Sequence, residues 1–181
     1  GPAAGCPPPG RWSDPMLRIA FAASGFAPLV RTGGLAEVAA GLTRFLATVE
    51  ADLRIFLPAY DTLAGHGEPR HDVDAVRDVP IAMGDREYRF SLRSMRVPGC
   101  HHAILLVDCP ELFHRGHLYS WDSDEHVRWG FFSRAVLESC QRMGFAPDIV
   151  HAHDWHTALL PVYLKTIYAW DALFANTRSL L

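Results

Sequence analysis

The sequence predicts an α/β fold: a mostly parallel sheet flanked by helices, with an antiparallel hairpin excursion in its middle. Three observations carry this. Two short apolar runs near the start are separated by an amphipathic segment; a central stretch alternates apolar and polar residues; and a late apolar run passes directly into another helical pattern.

The first run, "LRIAFAA" at 17–23, is continuous rather than alternating, as a parallel strand covered on both faces is. After the loop "SGFAPLVRTGG", residues Leu35, Val38, Ala39, Leu42, Phe45, Leu46 and Val49 recur at three- and four-residue steps, which predicts a helix laying that face on the sheet. "LRIFLPAY" at 53–60 is the second strand, joined by a right-handed crossover. From 79 to 109 the alternation around Gly84-Asp85 and Pro98-Gly99 predicts hairpin strands. A long helix is expected from Asp124 to Met143, with Asp122, Ser123 and Asp124 as candidate caps and Val127, Phe131, Ala135 and Cys140 facing inward. "PDIVHAHDWHTALLPVYLK" at 147–165 reads as a buried strand entering a helix capped by Asp154 or Thr157, and the closing leucines read as the beginning of another strand.

The chain has 181 residues, 49% of them hydrophobic and 20% charged, with a formal charge of -3, which suits one globular domain and excludes a broad nucleic-acid-binding stripe. No apolar run reaches the roughly 20 residues of a membrane span, so no membrane partner is expected. Residues 1–15, rich in proline and glycine, read as a leader or cloning remnant, leaving 16–181 as the domain. Cys6, Cys100, Cys109 and Cys140 lack metal or disulfide spacing, which points to reduced thiols and a cytoplasmic location.

Two clusters carry chemistry. Gly33 and Gly34 stand where a strand has ended and a helix begins, so free N–H groups and the helix dipole favour an anion there, with Arg31 and Thr32 as added donors; a plain turn is the alternative. In "HAHDWH", His151 and His153 share a strand face, with Asp154 and His156 at the strand's carboxyl end, where α/β sheets bind ligands. A metal is one reading, but Asp154 follows the second histidine directly, which breaks the H-x-H-x-D-H spacing of metallo-hydrolases; a histidine facing a sugar or phosphate, or one simply buried, are the others. Between these clusters, Tyr119, Trp121 and Trp129 form a candidate sugar-stacking platform, while Arg128 and Asp124 either bond hydroxyls or pair across a helix turn.

Taken together these segments resemble the amino-terminal half of bacterial glycogen synthases and plant starch synthases, glycosyltransferase family five. "RTGGLAEVAAGL" is similar to the family's K-T-G-G-L-G-D-V, "LPAY" to L-P-x-Y, and "DCPELFHRGHLY" to D-N-P-x-L-[FY]-x-R-x-x-x-Y. "DEHVRWGFFSRA" resembles D-N-x-x-R-F-x-x-F-[SC]-[RK]-A, and 147–165 resembles P-D-[IV]-[VL]-H-x-H-D-W-x-[TS]-[AG]-L-[LV]-P-x-[YF]-L-K.

The resemblance implies a Rossmann-like domain forming the N-terminal half of a GT-B glycosyltransferase, an enzyme that moves glucose from ADP-glucose or UDP-glucose to the nonreducing end of an α-1,4-glucan with retention, using no cofactor and no metal. It implies Arg31, Thr32, Gly33 and Gly34 at the donor diphosphate, His153 and Asp124 at the reacting sugar, and Tyr60, Tyr119 and Asp154 as acceptor or sugar contacts. It also implies a missing C-terminal GT-B domain, without which the chain alone is inactive and prone to self-association. The location is then the cytoplasm, or the plastid of a plant. Arg31 stands for the family's lysine, Ala36-Glu37 for Gly-Asp, Glu125 for asparagine and Trp129 for phenylalanine. A noncatalytic glucan-binding protein and a metal-dependent hydrolase are the competing readings.

Overall fold

The computed structural model describes residues 16–31, 33–49, 51–65 and 69–181; the proposed leader at 1–15 lies outside them. In chain order the elements are β1 (Leu17–Ala22), α1 (Gly34–Leu46), β2 (Ala51–Pro58), β3 (Arg70–Asp72), β4 (Val79–Met83), β5 (Arg86–Met95), β6 (Ile104–Asp108), α2 (Pro110–Phe113), α3 (Glu125–Arg142), β7 (Ile149–Ala152), α4 (Leu159–Lys165) and β8 (Arg178–Leu180), with 3-10 turns at Asp61–Gly65, Trp155–Thr157 and Ala172–Phe174.

The sheet runs β3-β5-β6-β2-β1-β7-β8. β6, β2, β1, β7 and β8 are mutually parallel, in register pairs such as Phe21 with Ile55 and Phe21 with His151. The apolar runs of β1, β2 and β6 are buried because both sheet faces are covered. β5 supplies the antiparallel excursion: its first half pairs with β4 and its second half with β6 and β3. The short strand β3 has no apolar signature in "RHD" and was not anticipated.

α1 departs in part from the expected packing. Its buried face is Ala36, Ala39, Ala40 and Thr43, while Val38, Phe45 and Val49 stand 57%, 66% and 47% exposed. Of the expected face, Ala39 is buried and Leu42 and Leu46 pack partly against the core, so the helix is rolled by roughly 110° from the expected orientation at 3.6 residues per turn, which leaves Val38 and Phe45 outward. The small side lets the helix sit close to the sheet, and the larger side faces out. The Thr43 hydroxyl is satisfied by donating to the Ala39 carbonyl at 3.0 Å.

α3 behaves as expected, with Phe131, Phe132, Ala135, Val136, Leu137 and Cys140 fully buried. Asp124 occupies its N-cap position, and its carbonyl accepts from Val127 and Arg128, but its carboxylate makes no cap. That carboxylate is engaged elsewhere, as described below. Among the described residues no helix is long and apolar enough to cross a membrane.

Candidate functional site

The parallel strands β1, β2, β6 and β7 end along one edge of the sheet, and the loops that leave them carry the residues singled out by sequence. The loop after β1 is anchored at two points. Phe26 and Val30 form a backbone bridge, and the Tyr60 hydroxyl donates to the Ser24 carbonyl at 2.8 Å. Tyr60, expected as an acceptor contact, is therefore corrected: it is 1% exposed, its hydroxyl is used inside the fold, and burial holds its pKa well above the ordinary tyrosine value.

The same loop ends at Gly33, whose φ of 78° and ψ of -161° belong to a region that only glycine enters freely, and Gly34 opens α1. A Cβ placed on either glycine would meet nothing within 4 Å, so the backbone at the start of this 13-residue helix, whose first N–H groups have no partner within the helix, is open to close approach on that side. Arg31 is exposed beside them, its Nε 3.5 Å from Glu37 Oε1. Thr32 lies outside the described residues.

β7 runs beside β1, and the His153 N–H donates to the Ala22 carbonyl at 2.9 Å, so this histidine is fastened to the strand end from which the glycine loop departs. The rings of His151 and His153 both pack on Phe21, at 4.8 and 5.5 Å, as their shared strand face requires. Burial, reinforced by the neighbouring His153, pushes the His151 pKa down.

Asp154 follows at φ 67° and ψ 177°, another glycine-like conformation. Its Oδ1 accepts from the Trp155 N–H at 2.6 Å and its carbonyl from the Thr157 N–H, so its carboxylate caps the 3-10 turn; the helix α4 itself starts after Ala158 with no side-chain cap, so neither Asp154 nor Thr157 caps it as expected. Among the described residues no group of three or more His, Cys, Asp and Glu side chains is gathered to hold a metal ion.

The third region is the loop at 114–124. Arg115 grips both carboxylate oxygens of Asp124, at 2.8 and 2.7 Å, and this pair lowers the Asp124 pKa. The sequence had offered Arg128 as the partner of Asp124. Arg128 is instead wholly buried, donating to the carbonyls of Leu112 and Leu118 and to Glu125 Oε2 at 2.8 Å. Glu125 also accepts from the Ser120 hydroxyl at 2.7 Å and from the Trp129 indole N–H at 3.0 Å. Burial pushes the Glu125 pKa up, but the hydrogen bonds from Arg128 and Ser120 outweigh it and leave the group below its ordinary value.

Trp129 is corrected too: at 3% exposed it belongs to the core, not to a platform. Trp155 takes its place. Tyr119, Ser120, Trp121, Asp122, Glu125 and Trp155 line a surface cavity of about 510 Å3. Beneath it His156 is clamped by Tyr119 at 4.9 Å, Trp155 at 3.9 Å and Trp129 at 4.6 Å. Its ring is 2% exposed, neither nitrogen has a hydrogen-bond partner, and burial pushes its pKa down to about 4. Trp155 and His156 lie inside the "HAHDWH" motif, but the burial of His156 and the exposed indole of Trp155 are set by packing against Tyr119 and Trp129, which the motif does not encode. The roles of Arg115 and Glu125 depend on pairings across a loop that no periodicity encodes.

The chain matches the family model for the starch synthase catalytic domain over residues 18–181. It is 41% identical over 169 residues to a glycogen synthase of Aeromonas salmonicida, covering 91% of this chain and 34% of that protein. It is 35% identical over 168 residues to a glycogen synthase of Desulfitobacterium hafniense, again covering 91% of this chain and 34% of the relative. Among solved structures it is similar to the catalytic domain of starch synthase IV from Arabidopsis thaliana bound to ADP and acarbose, with a TM-score of 0.78, 30% identity, and coverage of 91% of this chain and 33% of that one. The chain thus spans about a third of the length of the curated relatives it matches.

Proposed function

The chain belongs to the starch synthase catalytic domain family, and from that premise we propose that it forms the acceptor-side half of a retaining glucosyltransferase, transferring glucose from ADP-glucose or UDP-glucose to the nonreducing end of an α-1,4-glucan. A second, nucleotide-gripping domain completes the cleft. The work belongs in the cytoplasm and uses neither metal nor cofactor.

One relationship carries this reading. The glycine loop and His153 leave the carboxyl ends of adjacent parallel strands, tied together by the bond from the His153 N–H to the Ala22 carbonyl. The open N–H groups at Gly33 and Gly34, the helix dipole and the Arg31 guanidinium attract the donor diphosphate and stabilise the charge that develops on the departing nucleotide. Thr32 adds a hydroxyl donor. His153 meets the glucosyl unit beside that diphosphate and orients it for transfer. Asp124, fixed by Arg115, stands at the sugar end. Tyr119 and Trp155 offer ring faces to the glucan in the 510 Å3 cavity. The starch synthase of similar fold was solved with ADP and acarbose, which supports a nucleotide and a saccharide as the two ligands.

A noncatalytic glucan-binding role is favoured by a different observation: the two charges expected at the donor are already matched, Arg31 by Glu37 and Asp124 by Arg115. The deciding experiment builds a chimera in which this chain replaces the matching third of the Aeromonas salmonicida enzyme. Transfer of labelled glucose to glycogen is then measured with each donor. Transfer that falls on the order of a hundredfold or more in His153→Ala supports the enzyme reading; a chimera that binds ADP and glycogen yet transfers nothing overturns it in favour of binding alone.

A further inference from the structure

The departures at Glu125 and Trp129 are one change rather than two. An indole in place of a phenyl ring brings an N–H into a position only 3% exposed, where leaving it without an acceptor is unfavourable by roughly 1–3 kcal/mol. Glu125, one helical turn earlier, supplies that acceptor at 3.0 Å. The same oxygen takes the Ser120 N–H at 3.4 Å, and the other takes the Arg128 guanidinium at 2.8 Å and the Ser120 hydroxyl at 2.7 Å, so four donors of the fold occupy its roughly four acceptor sites. It is therefore not available to a ligand, although it lines the cavity.

What this carboxylate joins is informative. Through Ser120, and through Arg128 to the Leu118 carbonyl, it fastens the loop that carries Tyr119 and Trp121, which is one wall of the cavity. Through Trp129, whose ring stands edge-on to His156 at 4.6 Å and to Trp155 at 6.1 Å, it fastens the turn that carries the opposite wall. His156 is the shim between them, touching Tyr119 and Trp155 at once.

We infer that Glu125 is a positioning residue that sets the spacing of the two aromatic walls, with Trp129 as its matched partner, and that the pair thereby tunes saccharide binding without touching the saccharide. The inference rests on the reading that this cavity takes a saccharide. Glu125→Asn restores the family's amide, whose one carbonyl oxygen can accept from Arg128 but cannot also take the indole N–H, which is left stranded. Trp129→Phe removes the N–H but leaves the carboxylate anchored. The double variant restores the family pair.

The test titrates acarbose, and separately ADP, into the chimera described above, which supplies the nucleotide-gripping domain, by tryptophan fluorescence and calorimetry. Wild type, Glu125→Asn, Trp129→Phe, the double variant and Tyr119→Ala are compared. Glu125→Asn should weaken acarbose about tenfold or more, Trp129→Phe about threefold, and the double variant should recover to within about threefold of wild type, a strongly non-additive cycle. ADP affinity should stay level throughout, which a general loss of structure would not allow. If Glu125→Asn fails to fold, Trp129→Phe and the double variant still decide: a double variant weaker than Trp129→Phe overturns the proposal. Acarbose binding by wild type that Tyr119→Ala abolishes and Glu125→Asn keeps overturns the proposal alone. A wild-type chimera that binds ADP and no acarbose overturns it together with the saccharide reading of the cavity.

Discussion

The hydroxyl of Tyr60, at the end of β2, donates to the carbonyl of Ser24 at 2.8 Å, locking the root of the glycine loop to the neighbouring strand. Tyr60→Phe keeps the ring and its edge-on contact with Phe113 but strands a buried carbonyl. We expect a loss of about 1–2 kcal/mol in urea unfolding, and ADP affinity that falls with it because the loop is less firmly held. Unchanged stability would mean that the bond contributes nothing.

His156 makes stability depend on pH. Its folded pKa of about 4 lies below its ordinary value of 6.5, so the folded state binds the proton less well than the unfolded chain. Its stabilising share is complete above pH 6.5 and is lost as pH falls toward 4, by on the order of 3 kcal/mol in total. His156→Phe keeps the stacked clamp, removes two unpartnered nitrogens, and should flatten the unfolding free energy across that window. An equally steep profile in His156→Phe would assign the dependence to other groups.

At the glycine loop, Glu37 competes with any bound anion for Arg31. Glu37→Gln should tighten ADP about two- to fivefold and Arg31→Ala should weaken it about tenfold, both differences shrinking as salt rises because the pair is exposed. Calorimetry at two ionic strengths checks both. A Glu37→Gln chain that binds ADP no better than wild type would sink the competition.

The exposed side of α1 gives a sharp contrast between sequence and structure. Phe45→Ser should change stability by no more than about 0.5 kcal/mol, as surface substitutions do, whereas Ala36→Leu should destabilise by about 1–3 kcal/mol through overpacking against the loop at Gly25. Thermal unfolding of the two variants separates them. The reverse order would restore the packing that hydrophobic periodicity suggested.

Much of the scaffold was legible in the letters, for local reasons. β1, β2 and β7 are continuous apolar runs, the hairpin turn at Gly84-Asp85 connects β4 to β5, and the long helix begins within one residue of Asp124. The glycine pair before α1 and the histidines in and just after β7 mark the strand-end edge where the candidate site lies, since strand ends and helix starts are written in neighbouring residues. Tyr60, Trp129 and Arg128 were misplaced because burial of a polar or aromatic side chain depends on what arrives from elsewhere in the chain. Arg115 on Asp124 is a pairing across a loop, and β3 is a strand only because β5 offers it an edge. α1 is rolled away from the face that periodicity marks because periodicity finds the greasiest side of a helix, while packing selected the small residues Ala36, Ala39 and Ala40.

The kink at Asp154 bears on the histidine before it. A non-glycine residue held at φ 67° by its own cap leaves the preceding backbone few alternative directions. The backbone of His153 is thus held by this kink on one side and by its N–H bond to the Ala22 carbonyl on the other, so under the proposed function a sugar docking against it would freeze little additional backbone motion. Whatever affinity the contact provides is then available to discriminate between hexoses instead of being consumed in ordering the protein.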